Sequence, residues 1–222
     1  MATYDLEEQE QIDQLKHFWA QYGNLITWAL IVVLGGFAAW NGWNWWQRSQ
    51  SVKAAALYDE IERGAQARDV ATTERALADI KNQFGGTSFA AQGALLAAQS
   101  LFEAGKADGA KAALNWVADS GSDDSFKAVA RLRLAGVHLD AKAYDEAIKV
   151  LQAPMPDAYA ALAADRRGDV LMAQGKVDEA KAEYKKAWEG MNERTEYRQL
   201  VQVKLASLGV DVTPVAPKEA AQ

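Results

Sequence analysis

The 222-residue chain contains no cysteine, four prolines and two histidines. Without cysteine there is no disulfide framework and no thiolate metal site. With so few prolines, and 16 glycines, the chain has too few turn-formers for a β-sandwich. Lysine and arginine number 24 against 30 aspartates and glutamates, and no basic stripe is present, which speaks against nucleic-acid binding. The sequence has no H-E-x-x-H, no P-loop, no G-x-S-x-G and no G-x-G-x-x-G, so no common catalytic or cofactor motif points to an enzyme. Asp119, Asp123 and Asp124 surround Ser120, Gly121 and Ser122, but they lack the spacing and distal glutamate of a calcium loop. They read instead as a loop with a helix N-cap at Asp124 or Ser125. Of the histidines, His17 borders an apolar run and His138 falls on a repeat helix as a packing residue. No cofactor and no metal are expected.

The remaining composition is that of helices. Ala-rich stretches decorated with Lys and Glu dominate after residue 50, and these are strong helix formers. The expected class is all-α.

From His17 to Gln47 there is no Asp, Glu, Lys or Arg. Within this run Leu25–Trp46 makes about 33 Å of helix, enough for a hydrocarbon core of about 30 Å. Trp19, Tyr22 and Trp28 stand at one end, and Trp40, Trp43, Trp45 and Trp46 at the other. Aromatic rings of this kind favour the headgroup region, so residues 25–46 are assigned to a transmembrane helix in a lipid bilayer. A cleaved signal peptide is excluded by an acidic start, an overlong apolar run and bulky tryptophan after it. Gly35 with Ala39, and Ala38 with Gly42, form small-xxx-small pairs that suit either an approaching helix or ordinary transmembrane composition. Residues 1–24 form an acidic leader. Asp5 and Glu8 suggest a capping box, and Ile12, Leu15, Trp19 and Tyr22 recur at helical spacing. Glu7, Glu8 and Glu10 form either a solvated face or a docking patch for a basic partner. Near the membrane the leader offers Lys16, the far side Arg48, Lys53 and Arg63. By that count alone the large domain would face the cytoplasm, although long domains cross largely regardless of charge.

Residues 50–208 repeat. Asp108-Gly109-Ala110, Asp145-Glu146-Ala147 and Asp178-Glu179-Ala180 are spaced by 37 and 33 residues, bracketing the roughly 34 of tetratricopeptide repeats. Twelve positions before each alanine stands a small residue (Ala98, Ala135, Gly168), and four after it a large one (Leu114, Leu151, Tyr184). Gly105, Lys142 and Gly175 mark the turns. Small residues let two antiparallel helices approach, and the large residue seals the seam. Leu57 to Phe84 reads as a degenerate first hairpin. Tyr197, Leu200, Val201, Leu205 and Leu208 read as the face of a capping helix. The expectation is an α-solenoid of about four hairpins plus a cap, with a disordered tail at 209–222. First helices should line a concave groove, with Gln92, Leu95, Gln99, Phe102, Val129, Leu132, Leu139, Leu162 and Asp165 as candidates. Leu95, Gln99, Leu132 and Gly136 stand where a carboxylate clamp would need cations, so an apolar, sequence-tolerant contact is expected. Asp165, Arg166, Arg167 and Asp169 read as a surface charge network.

Three stretches together resemble the YfgM family, single-span ancillary proteins of the bacterial Sec translocon. They are the leader ending in Leu15-Lys16-His17-Phe18-Trp19 with Tyr22-Gly23, the run Phe126–Ala135, and Ala163-Ala164-Asp165-Arg166-Arg167-Gly168-Asp169 with the Gly175-Lys176 turn. The resemblance covers nearly the whole chain except the proline-containing tail. It implies an inner-membrane protein with a cytoplasmic N-terminus and a periplasmic repeat domain, opposite to the charge count. It also implies association with the SecYEG translocon and with a membrane-anchored periplasmic peptidyl-prolyl isomerase. The implied task is helping exported polypeptides reach periplasmic chaperones, with a link through the leader to an envelope-stress response regulator. The other reading of the same repeats is a tethered scaffold for a different cell-envelope or division complex.

Overall fold

The computed structural model describes the backbone of residues 3–212 and the side chains of residues 10–212. It divides into two compact units after Gln50. Among the described residues it contains nine helices and no strand.

The first unit is the leading part of α1 (Thr3–Gln66). The helix is already under way at Thr3, ahead of the start suggested by Asp5; the side chains of Asp5, Glu7 and Glu8 lie outside the described residues. This helix is long and apolar enough to cross a membrane. All seven of the flanking aromatics named above are exposed, as a lipid-facing helix requires. Two polar groups inside the apolar run turn back on the helix itself. Thr27 donates to the Gly23 carbonyl at 2.7 Å and Asn41 to the Phe37 carbonyl at 2.9 Å, which leaves fewer side-chain donors to be desolvated.

The second unit is a stack of four helical hairpins and a cap. The end of α1 pairs with α2 (Val70–Phe84), α3 (Ser88–Glu103) with α4 (Ala107–Ser120), α5 (Asp124–Asp140) with α6 (Tyr144–Leu151), and α7 (Asp157–Ala173) with α8 (Val177–Gly190). The cap is α9 (Tyr197–Ser207). The three aligned alanines, Ala110, Ala147 and Ala180, are each completely buried, one turn into the second helix of its hairpin, where the partner helix comes closest.

Each hairpin turns in the same way. Gly105, Lys142 and Gly175 have positive φ, and so does Arg68 in the first hairpin. Around each, two reversed backbone hydrogen bonds close the helix, for example Gly105 N–H to the Phe102 carbonyl (2.9 Å) and Lys106 N–H to the Leu101 carbonyl (2.8 Å). Arg68 N–H to the Ala65 carbonyl at 3.1 Å and Asp69 N–H to the Gly64 carbonyl at 2.8 Å complete the same pair in the first hairpin. Its register therefore becomes readable: Thr73 stands where the other hairpins have alanine, 37 residues before Ala110. Thr73 is buried and its hydroxyl donates to the Asp69 carbonyl at 2.9 Å, so the polar group is satisfied.

The small–large seam is most exacting in the last hairpin. A Cβ on Gly168 would lie 2.5 Å from the Tyr184 ring. That ring is buried, and its hydroxyl donates to Asp169 at 2.9 Å, so it has nowhere to retreat. Gly168→Ala gains helix propensity of about 1 kcal/mol but overpacks the seam by about 1–3 kcal/mol. The expected outcome is a melting temperature lower by a few degrees in thermal circular dichroism; an unchanged or raised value would contradict the tight seam.

Two expectations are corrected at the C-terminal end. Leu200 is 46% exposed, whereas Val201 and Leu205 are completely buried. At 100° per residue, Tyr197, Val201, Leu205 and Leu208 share a face that Leu200 does not. The ordered chain also continues past Gly209: Val210 and Val212 pack against the last core cluster, so the expected tail cannot begin at 209. Residues 213–222 of that tail lie outside the described residues. The N-cap of α5 is Asp123, accepting from Ser125 N–H at 2.7 Å, one residue before the two candidates.

Candidate protein-binding groove

The first helices α3, α5 and α7 stand side by side and enclose a groove of about 340 Å³. Its lining is Ala98, Gln99, Phe102, Leu114, Leu132, Arg133, Gly136, Val137, Asp140 and Arg166. Ala98 and Gly136 leave the room; Phe102, Leu132 and Val137 supply apolar surface. Phe102 is 38% exposed and presents an aromatic face to the groove.

Of the expected groove residues, Gln99, Phe102 and Leu132 line this groove. Gln92 is exposed outside its lining. Leu95 is buried in the first core cluster, Val129 packs against the same cluster, Leu139 against the third and Leu162 against the second. These four hold hairpins together.

Asp165 is elsewhere altogether. It is 1% exposed and sits in a buried polar cluster beneath α9. Lys204 reaches both of its carboxylate oxygens, at 2.8 and 3.0 Å, and Asp169 at 2.6 Å. The Tyr197 hydroxyl donates to Asp165 at 2.7 Å. By repeat register Asp165 corresponds to Leu95 and Leu132, but in the last hairpin that position faces the cap rather than another hairpin. Burial, with the adjoining carboxylates, pushes the phenols of Tyr184 and Tyr197 well above the usual range; both therefore stay protonated donors. The expected surface charge network is thus largely internal. Arg167 is half-buried, donating to Glu183 at 2.7 Å and to the Leu151 carbonyl at 3.2 Å. Burial acts to raise the Glu183 carboxyl, but Lys186 and Arg167 outweigh it and hold it below the usual range.

The residues missed by sequence reasoning are the charged ones on the groove wall. Arg133 donates to the Leu95 carbonyl at 3.1 Å, which uses one of its five donors. Arg166 lies 3.6 Å from Asp169, beyond hydrogen-bonding distance. The signal was present: Arg133 and Arg166 each stand two residues before the small residue of their hairpin, Ala135 and Gly168.

Among the described residues no group of acidic or histidine side chains is placed to hold a metal ion. A family model described as a tetratricopeptide repeat-like domain matches residues 16–210. A relative from Neisseria gonorrhoeae, named ancillary SecYEG translocon subunit, is 34% identical over 209 residues, covering 94% of this chain and all of the relative. The chain belongs to this family, YfgM. Two further relatives with the same name are similar to it: one from Escherichia coli, 28% identical over 85% of this chain and 88% of its own length, and one from Haemophilus influenzae, 26% identical over 93% and 100%. The match to residues 16–210 takes in the apolar run of α1 as well as the hairpins, so anchor and repeats belong to one family pattern in YfgM proteins.

Proposed function

We propose that the chain is a non-enzymatic, single-pass inner-membrane scaffold of the SecYEG translocon, which helps transfer newly exported polypeptides to periplasmic chaperones. In this reading residues 1–24 are cytoplasmic, 25–46 span the membrane and the hairpins of 50–208 lie in the periplasm. The observation that carries it is the groove of α3, α5 and α7, an apolar concave surface with Phe102 uncovered, on a chain whose relatives are named translocon subunits. A membrane-anchored periplasmic peptidyl-prolyl isomerase is the proposed partner in the hand-off. Exposed Glu10, with Glu7 and Glu8, is proposed to meet a response regulator of envelope stress.

The test is chemical crosslinking in native membranes followed by affinity capture of the full chain. Recovery of translocon subunits and the isomerase supports the reading. Their consistent absence, with recovery of division or other envelope proteins, would assign the scaffold elsewhere. Protease added to spheroplasts should degrade the hairpin domain; cleavage of the leader alone would reverse the topology.

Phe102→Ala removes the largest apolar surface in the groove. A central aromatic contact is worth about 2 kcal/mol, so exported segments should bind about thirtyfold more weakly, measured by fluorescence anisotropy with an apolar peptide. Unchanged affinity would place binding outside the groove.

A further inference from the structure

The groove carries opposite charges at its two ends, and they follow the repeat register. Arg133 on α5 and Arg166 on α7 occupy the same position in consecutive hairpins and line the same groove. Toward the other end, Asp140 on α5 stands at the register of Glu103 on α3; both are exposed, and Gln99 donates to Glu103 at 2.9 Å. Between the charges lie Phe102, Gly136 and Val137.

Resting on the groove reading above, we infer that this groove is dipolar and selects an extended segment in which an acidic and a basic side chain flank a short apolar stretch. The partner's acidic side chain lies between the two arginines and its basic one beside Asp140. Arg133 retains donors beyond its single bond to Leu95. Arg166 has an ion pair with Asp169 Oδ2 at 3.6 Å, which leaves it further donors on its five-donor guanidinium. The spacing follows from geometry. Arg133 and Asp140 are two helical turns apart, about 10 Å along α5, and an extended polyproline II segment rises about 3.1 Å per residue with three residues per turn, so that residues i and i+3 share a face. The two partner charges are therefore three residues apart. The charge requirement narrows a groove that would otherwise accept any apolar segment, and it favours chains not yet folded, since a folded domain seldom presents such a stretch extended and free.

The test measures binding of two labelled peptides, acetylated and amidated, to the full chain in phosphatidylcholine nanodiscs. One has the core Glu-Leu-Leu-Lys, the other Gln-Leu-Leu-Gln. Two partly shielded ion pairs should make the charged peptide bind about fivefold tighter, a preference that shrinks as salt rises. Arg133→Gln with Arg166→Gln should abolish the preference, Asp140→Asn should reduce it, and Phe102→Ala should weaken both peptides alike. Asp140 is exposed, so its variant reports on charge even if the double arginine variant melts early. Equal affinity for the two peptides, with Phe102→Ala weakening both, would overturn the dipolar inference and leave the groove reading standing. Failure of both peptides to bind, or indifference to Phe102→Ala, would remove the groove reading and the inference with it. A preference seen only with a peptide bearing a free C-terminal carboxylate would assign the arginines to a chain end and also overturn the proposal.

Discussion

Removal of residues 193–222 should leave a repeat domain that no longer melts cooperatively and that aggregates on purification. The cut takes away α9, whose Val201 and Leu205 are completely buried against the last hairpin. Each such side chain contributes about 1.5–3 kcal/mol, and Tyr197 and Leu208 add to the same cluster. It also removes Arg198, whose guanidinium lies 3.8 Å from the Trp188 ring centroid and whose Nε donates to the Trp188 carbonyl at 3.2 Å. Most damaging, it strips Lys204 and Tyr197 from Asp165. Against a domain stability of about 5–15 kcal/mol, the combined loss is decisive. A cut at residue 211 takes only Val212 of the described packing in this cluster and should cost far less. Thermal circular dichroism of the three chains decides it: equal melting temperatures for the intact and 193-truncated proteins would contradict the capping role of α9.

A single substitution at the centre of that cluster should come close in effect. Lys204→Ala leaves Asp165, 1% exposed, with the Tyr197 hydroxyl as its remaining donor among the hydrogen bonds described. Breaking a buried ion pair from one side costs about 3–5 kcal/mol, whereas replacing both partners with apolar residues is often neutral. Asp165→Leu combined with Lys204→Met should therefore recover most of the stability that Lys204→Met alone loses. The double-mutant cycle, read by urea denaturation, separates this from simple packing. If the two single losses add in the double variant, the cluster is not an ion pair in the energetic sense and the account of α9 docking is wrong.

Most of the fold was legible because the same physical constraint recurs. Ala110, Ala147 and Ala180 repeat at a close helix crossing, and nothing larger fits there. The first hairpin was harder to align because its constraint is met with different residues. Thr73 takes the alanine position and Ile61 the small one, and the room moves to Gly64 and Gly93, where added Cβ atoms would meet Thr73 Oγ1 at 2.7 Å and Ile61 at 2.9 Å. Such a trade preserves volume while erasing the pattern. The site was less legible than the fold. Three of the nine expected groove residues line it; Leu95, Leu139, Leu162 and Val129 hold the stack together instead, because in a solenoid the inner faces of first helices serve both purposes. Asp165 was misplaced since its partner, Lys204, lies 39 residues away on a helix that ends the repeat pattern. Arg133 and Arg166 were overlooked although their common register can be counted along the chain.

The concave face of the hairpins, rather than another surface, is proposed to meet polypeptides at the translocon. A photocrosslinking amino acid at position 102, activated in living cells, tests this most directly. The expected result is adducts with exported polypeptides or translocon-associated proteins from position 102, and few from position 112, since exposed Ala112 does not line the groove. Adducts from position 112 with none from position 102 would contradict it.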